Sequence, residues 1–269
     1  MEISQAVKDL TSRWQERGVT DGDVLLLHSS VSRTMKMITE RVPTFSLHHL
    51  LQSFVTAVGQ SGTLLLPLFN FDFAVGRTFS YLSTPSQMGA LTEVARGDAR
   101  FARTQHPLYS FAVTGRHAEE FIRLTNQGAL SDNGPFGLLR RLNGTIGVLD
   151  LEDQDSMTIY HHIEEVVGVD YRYHKWFESQ YVDARGVTET RRYSLFVWDE
   201  KRRIRTDVNR AGELLWQRGR YLGDRPRVGA GFRTIKAQVM FDEVQDIIVR
   251  GKAADYLYSI SPDSNREQL

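Results

Sequence analysis

Thr158, His161 and Glu164 follow one another at intervals of three residues in the run SMTIYHHIEEVV, residues 156–167. On a helix that spacing brings a hydroxyl, an imidazole and a carboxylate close to one face, while the adjacent His162 points elsewhere. Asp155 and Ser156 are good N-cap residues and Gly168 is a good terminator, so a helix is expected to start at those caps and stop near Gly168. An imidazole with an ordinary pKa of ~6.5 accepts a proton at neutral pH. A carboxylate beside it fixes the ring's tautomer and stabilises the imidazolium that forms, which is general-base chemistry with an orienting group. Two other readings of the same residues remain open. A histidine on an amphipathic helix is often only packed and hydrogen-bonded. His161-x-x-Glu164 and His162-x-x-Glu165 also have the two-ligand spacing of some zinc hydrolases, with His106 or His174 as a third ligand.

Residues 23–28 (DVLLLH) and 62–68 (GTLLLPL) are short apolar runs after turn-forming residues and read as buried strands. Between them, Leu47, Leu50, Leu51, Phe54, Val55 and Val58 form one helical stripe. Helices over 87–95 and 118–125 alternate with strands over 110–113 and 144–149, which calls for a sheet covered on both faces. From Trp176 onward, residues 180–182, 192–198 and 233–240 are strand-like, and 213–220 and 242–258 are amphipathic helices. The expected fold class is α/β. It is a three-layer α/β/α arrangement with a mixed central sheet and antiparallel additions in the C-terminal half, forming one domain over residues 1–269 whose tail frays from about Ser261.

Composition narrows the chemistry. Lys plus Arg number 33 and Asp plus Glu number 33, so no global field gathers nucleic acid or anionic membrane. There is no cysteine, which excludes disulfides, thiolate metal sites and an acyl-cysteine intermediate. No stretch approaches the ~20 consecutive apolar residues of a membrane span, and the opening MEISQAVKDLTSRW reads as an amphipathic helix without a secretory core. The expectation is a soluble cytoplasmic protein, monomer or homodimer, that acts on a small molecule without a metal.

DSMTIYHHIEE, residues 155–165, resembles the D-S-x-T-x-x-H-x-x-E signature of the aminoglycoside 3-N-acetyltransferases, a family distinct in fold from the GNAT acetyltransferases. GDVLLLHSSVS at 22–32 is similar to that family's first strand and H-[ST]-S-[LV]-S loop, and GTLLLPLFNFDF at 62–73 to its second strand. RTQHPLYSFAVTG at 103–115 and DNGPFGLLRRLNGTIGVL at 132–149 look like its H-P-x-x-S-[FV]-A element and its approach to the catalytic helix. The resemblance implies acetyl-CoA as co-substrate and direct transfer to a primary amine of an amino sugar or aminoglycoside-like compound. It implies His161 as catalytic base, Glu164 as its supporting carboxylate and Thr158 lining the transfer site. It also implies that His28, Ser29, Ser30 and Ser32 hold part of CoA, and that Ser110 and Phe111 flank its pantetheine arm, with His106 and Pro107 shaping that loop.

The chain departs from the family's pattern at residues 33–43 (RTMKMITERVP), which are charged and lack a Gly-Gly pair, and at 150–154 (DLEDQ), which place carboxylates before the helix. Asp153 there and Asp72 in FNFDF are expected to meet a cationic acceptor, although solvated acidic turns and core phenylalanines have the same appearance. Lys201, Arg202, Arg203, Arg205 and Arg210 could meet the phosphate of a nucleotide-linked amino sugar, or form a charged hairpin. The rival readings are biosynthetic acetylation of such a sugar, a zinc or serine hydrolase, and a CoA-binding protein without turnover. No G-x-S-x-G elbow supports the serine version.

Overall fold

Val24 and Leu26 point to one side of the first strand and Leu25 and Leu27 to the other, and all four are buried, so both faces of the sheet need cover. The computed structural model describes residues 2–226 and 231–260 and supplies that cover. The fraying expected from Ser261 lies outside the described residues. Helix α1 (Ile3–Glu16) leads into β1 (Val24–Ser29), and α2 (Ser32–Thr39) and α3 (Leu47–Val58) carry the chain back to β2 (Thr63–Pro67). Next come β3 (Phe79–Ser80), α4 (Ala90–Gly97), β4 (Ala102–Arg103), β5 (Phe111–Gly115), α5 (Ala118–Ile122), α6 (Pro135–Arg141), β6 (Thr145–Leu149) and α7 (Ile159–Val167). The remainder is the hairpin β7 (Arg172–Val182) and β8 (Thr188–Trp198), then β9 (Ile204–Thr206), α8 (Asn209–Gln217), β10 (Leu222–Gly223), β11 (Phe232–Lys236), α9 (Ala237–Val249), α10 (Ala253–Tyr256) and β12 (Tyr258–Ile260).

The central sheet has the order β10-β11-β6-β1-β2-β5-β4. Strands β1, β2 and β6 run parallel, with Leu25 opposite both Leu64 and Thr145, and the outer strands on both edges run antiparallel. On one face α1, α3 and α4 bury Leu25, Leu27, Leu64 and Leu66, and Trp14 stacks on Phe54 at 4.6 Å. On the other, α6, α7 and α9 enclose Ile146 and Val148 with Tyr160, Ile163, Met240 and Val244. The three-layer fold with a mixed sheet is therefore the one adopted.

Antiparallel strands are added in the C-terminal half as expected, and in the N-terminal half as well. They flank the sheet on both edges, and the long hairpin β7–β8 stands apart in a three-stranded sheet with β3. Residues 233–240 are not all strand: β11 ends at Lys236, where α9 begins. Ala237, Met240, Phe241, Val244 and Ile247 are buried at helical spacing, and their burial outweighs the strand-like composition. Helix α8 likewise begins at Asn209, before the expected 213.

Because β1, β2 and β6 are parallel, their carboxyl ends share one edge of the sheet. The chain leaves β1 for β2 on one side and meets β6 on the other, so the two crossovers part there, and such a divergence is where α/β sheets open a crevice for ligands. Ser29 ends β1 and Ser30 to Ser32 follow it, Leu68 to Asp72 follow β2, and Asp150 to Thr158 lead from β6 into α7.

Candidate active site

Helix α7 carries the imidazole. It begins at Ile159 rather than at the expected Asp155–Ser156 caps, because the Ser156 hydroxyl turns back to donate to the Glu152 carbonyl at 2.6 Å instead of capping the helix. The His161 amide donates to the Thr158 carbonyl at 3.0 Å, so half-buried Thr158 sits one turn below the ring. Gly168 ends the helix as expected, at φ 75°, where a side chain would strain the backbone. The chain then reverses within a few residues and brings Tyr171, just before β7, and Arg172, at its start, back against α7.

His161 Nδ1 lies 3.0 Å from Glu164 Oε2, the pairing that the three-residue spacing predicts. Glu164 is almost wholly buried, and three groups converge on it. Arg172 Nε is 2.9 Å from the same Oε2, and the Tyr171 hydroxyl donates to Oε1 at 3.1 Å. Burial and the carboxylate together raise the Tyr171 pKa, so this hydroxyl stays a donor. Arg172 also places Nη2 2.8 Å from His161 Nδ1, donates from Nη1 to the Phe196 carbonyl at 2.9 Å, and lies 3.5 Å from the centre of the Trp198 ring. The ring of His161 keeps 24% of its side-chain surface open. Burial lowers its pKa first and the Arg172 charge lowers it further, against the opposing pull of Glu164. The imidazole is therefore neutral near pH 7, with its basic lone pair available.

No spacing within the helix announces Arg172, Tyr171, Trp198 or Tyr109. The reversal after Gly168 is the one local signal that residues near 171 return to the helix. Tyr109 is linked to the cluster by its electrostatic interaction with Arg172, and His106 shapes the turn that carries it. His106 Nδ1 accepts from the Leu108 and Tyr109 amides at 3.3 and 3.2 Å, which puts its proton on Nε2, facing the Gln127 carbonyl at 3.3 Å. Burial pushes the His106 pKa down to about 3, so the ring stays neutral and shapes this turn. Tyr109 packs 4.4 Å from Phe69 and 5.8 Å from Phe71; burial pushes its hydroxyl up to about 12, against the nearby Arg172 charge.

The remaining expected site residues divide between open loop and core. His28 is buried at the end of β1, and desolvation, with Arg233 adding to it, pushes its pKa down to about 3. Ser30 donates its amide to the Leu149 carbonyl at 2.8 Å, tying this loop to the end of β6, and exposed Ser32 opens α2. Ser29 Oγ is buried without a hydrogen-bond partner, the one orphaned hydroxyl in this loop among the described residues. Ser110 and Phe111 are both buried. Ser110 Oγ donates to the Leu68 carbonyl at 3.2 Å and accepts from Arg103 Nε at 3.0 Å, and the Phe111 ring packs edge-on against Phe69 and Phe136. Ser110 lies just before β5 and Phe111 at its start, and both belong to the core.

Asp72, 36% exposed, is answered by Arg77 at 3.3 Å, while Phe69 and Phe73 of the same run are core. Asp153 is corrected from acceptor contact to buried anchor. Its Oδ2 accepts from the Tyr160 and Tyr221 hydroxyls at 2.8 and 2.6 Å, and its Oδ1 from Arg233 Nη2 at 2.8 Å. Gly212 completes the enclosure, since a Cβ there would fall 2.6 Å from Asp153 Cγ. The two HxxE pairs diverge. His162 is sealed against Phe136 with Nδ1 2.6 Å from the Leu130 carbonyl, and a cation between His161 and Glu164 would meet the Arg172 guanidinium. Among the described residues no three His, Asp or Glu gather as metal ligands. The basic cluster is matched by acids, Arg202 by Asp170 and Asp199 and Arg210 by Asp207.

A family model described as aminoglycoside 3-N-acetyltransferase matches residues 26–248 of the chain. Solved structures share its fold. AAC-IIIb in binary complex with CoASH is 16% identical with a TM-score of 0.73, over 91% of this chain and 96% of that one. AAC-VIa bound to sisomicin is 18% identical with a TM-score of 0.74, over 92% and 98%. The YokD protein of Bacillus subtilis is 16% identical with a TM-score of 0.72, over 91% and 98%.

Proposed function

Since the chain belongs to the aminoglycoside 3-N-acetyltransferase family, we propose that it acetylates a primary amine of an aminoglycoside or related amino sugar by direct transfer, with His161 as general base. Its co-substrate is acetyl-CoA, which supplies the thioester carbon and leaves as the thiol. The observation that carries the reading is the partly open, neutral His161 ring tied at Nδ1 to the buried carboxylate of Glu164. With Nδ1–H donated to Glu164, the lone pair sits on Nε2. His161 takes the amine proton there as the new C–N bond forms and the C–S bond breaks, and the imidazolium returns a proton to the departing sulfur. Glu164 orients the ring and stabilises the imidazolium, and Thr158 stands one turn away on the same helix. The lowered His161 pKa suits this work, because the ring is unprotonated at neutral pH and the acid limb of kcat/KM falls below the ordinary imidazole value.

The loop of His28, Ser29, Ser30 and Ser32 fits the co-substrate. It lies at the carboxyl edge of parallel strands, and the orphaned Ser29 Oγ has a hydrogen bond to give. An acceptor with several ammonium groups fits Asp72, which is in part exposed. The test is a screen of diverse amines with acetyl-CoA, reading thiol release. Turnover with aminoglycosides supports the reading, turnover confined to nucleotide-linked sugars moves it to the biosynthetic class, and hydrolysis without an acceptor ends it.

Glu164→Gln keeps the side chain's shape and removes its charge. The expected loss in kcat/KM is about ten- to a hundredfold, smaller than the loss on removing the imidazole, because Glu164 transfers no proton. A loss equal to that of the histidine variant would contradict these roles.

A further inference from the structure

His161 Nδ1 has room for one proton and two neighbours with opposite demands. Glu164 Oε2, 3.0 Å away, accepts and favours Nδ1–H, which leaves the lone pair on Nε2. Arg172 Nη2, 2.8 Å away, only donates and favours a bare Nδ1, which puts the proton on Nε2. We propose that Arg172 is a positioning residue for acetyl transfer that acts through His161, setting which ring nitrogen holds the proton and how readily the ring takes a second one.

The guanidinium is built into place for this. It is 3% exposed, its Nη1 donates to the Phe196 carbonyl, its central carbon lies 3.5 Å from the centre of the Trp198 ring, and its Nε forms an ion pair with Glu164 at 2.9 Å. A residue needed only to neutralise Glu164 would not have to reach Nδ1. By sharing Glu164, Arg172 weakens the carboxylate's hold on the imidazolium, and by its own charge it opposes ring protonation. The result is a base kept neutral in the resting enzyme and stabilised by Glu164 once it is protonated during transfer. Among the described residues, the titratable and charged groups that act on the ring or on its partners are Glu164 on α7, Arg172 at the start of β7, Tyr171 just before it, Tyr109 before β5 and, behind Tyr171, Tyr258 on β12. Arg172 is the cation among them.

This inference rests on His161 being the base, so the test reads the ring separately from turnover. Histidine nitrogen NMR on the full chain, without ligands, follows the His161 titration in the wild type, Arg172→Met and Arg172→Lys, alongside the pH profile of kcat/KM. Arg172→Met should move the ring's titration up by about one pH unit, raise the Nδ1–H population and carry the acid limb of kcat/KM with it. Arg172→Lys keeps the charge without the fork and should move both by about half as much, and it decides the matter if the methionine variant does not fold. A titration and tautomer unchanged in the folded variants, with the rate lowered equally at every pH, would overturn the proposal in favour of a packing role. A ring that shifts while the limb stays in place also overturns it, and locates the fault in the base assignment.

Discussion

His161→Ala lowers kcat/KM for acetyl transfer about a thousandfold or more and leaves CoA affinity within a few-fold. The loss corresponds to about 4 kcal/mol of transition-state stabilisation, within the range that a positioned base supplies. The asymmetry between rate and affinity follows from placement. The ring sits on α7, tied to Glu164, whereas the serines proposed to hold CoA lie at the end of β1 and just beyond it. The variant should also fold. Removing the imidazole leaves Glu164 paired with Arg172 at 2.9 Å and accepting from Tyr171, so no buried charge is orphaned. Steady-state kinetics with thiol detection, calorimetry with CoA and a thermal melt together check this outcome. A folded variant retaining more than about a tenth of the wild-type rate would rule His161 out as the base, and the Arg172 proposal with it.

Asp153→Ala acts on stability instead, costing about 3–5 kcal/mol, because it leaves the buried Arg233 cation without its carboxylate. The side chains of Asp153 and Arg233 are 3% and 2% exposed, too enclosed for water to replace what is lost. Two tyrosine hydroxyls lose their acceptor as well, and burial with Asp153 holds both far above the usual phenol pKa, so they stay protonated and cannot supply the missing negative charge. The urea midpoint is the measurement. Had Asp153 been an acceptor-binding residue, the variant would keep its stability and show a raised KM for cationic amines. That pattern, with a loss under about 1 kcal/mol, would sink the structural assignment.

These two carboxylates show how unevenly the site could be read from the chain. Glu164 follows His161 by one helical turn, and a helix places such residues together whatever surrounds it, so the pair was legible. Asp153 lies in an acidic run that looks solvated, and nothing local announces Arg233, eighty residues later, which β11 brings beside β6. The same limit applies to Ser110 and Phe111, whose motif was visible but whose inward direction depends on the pairing of β5 with β2.

Local sequence determined what short-range geometry can determine: the strand-helix alternation, the double-sided burial of β1 and β2, the end of α7 at Gly168, and the His161–Glu164 pair. It misplaced the start of α7 and the extent of β11, where competing hydrogen bonds and distant packing decide. Only the tertiary structure decided that Arg172 enters the histidine's hydrogen-bond shell, that Asp153 is an internal anchor, and that the β7–β8 hairpin stands outside the central sheet. The physical reason is range. Periodicity encodes which face of an element is apolar, but the charge that tunes the half-buried ring comes from whichever strand the fold returns to its side, and no spacing within one helix records it.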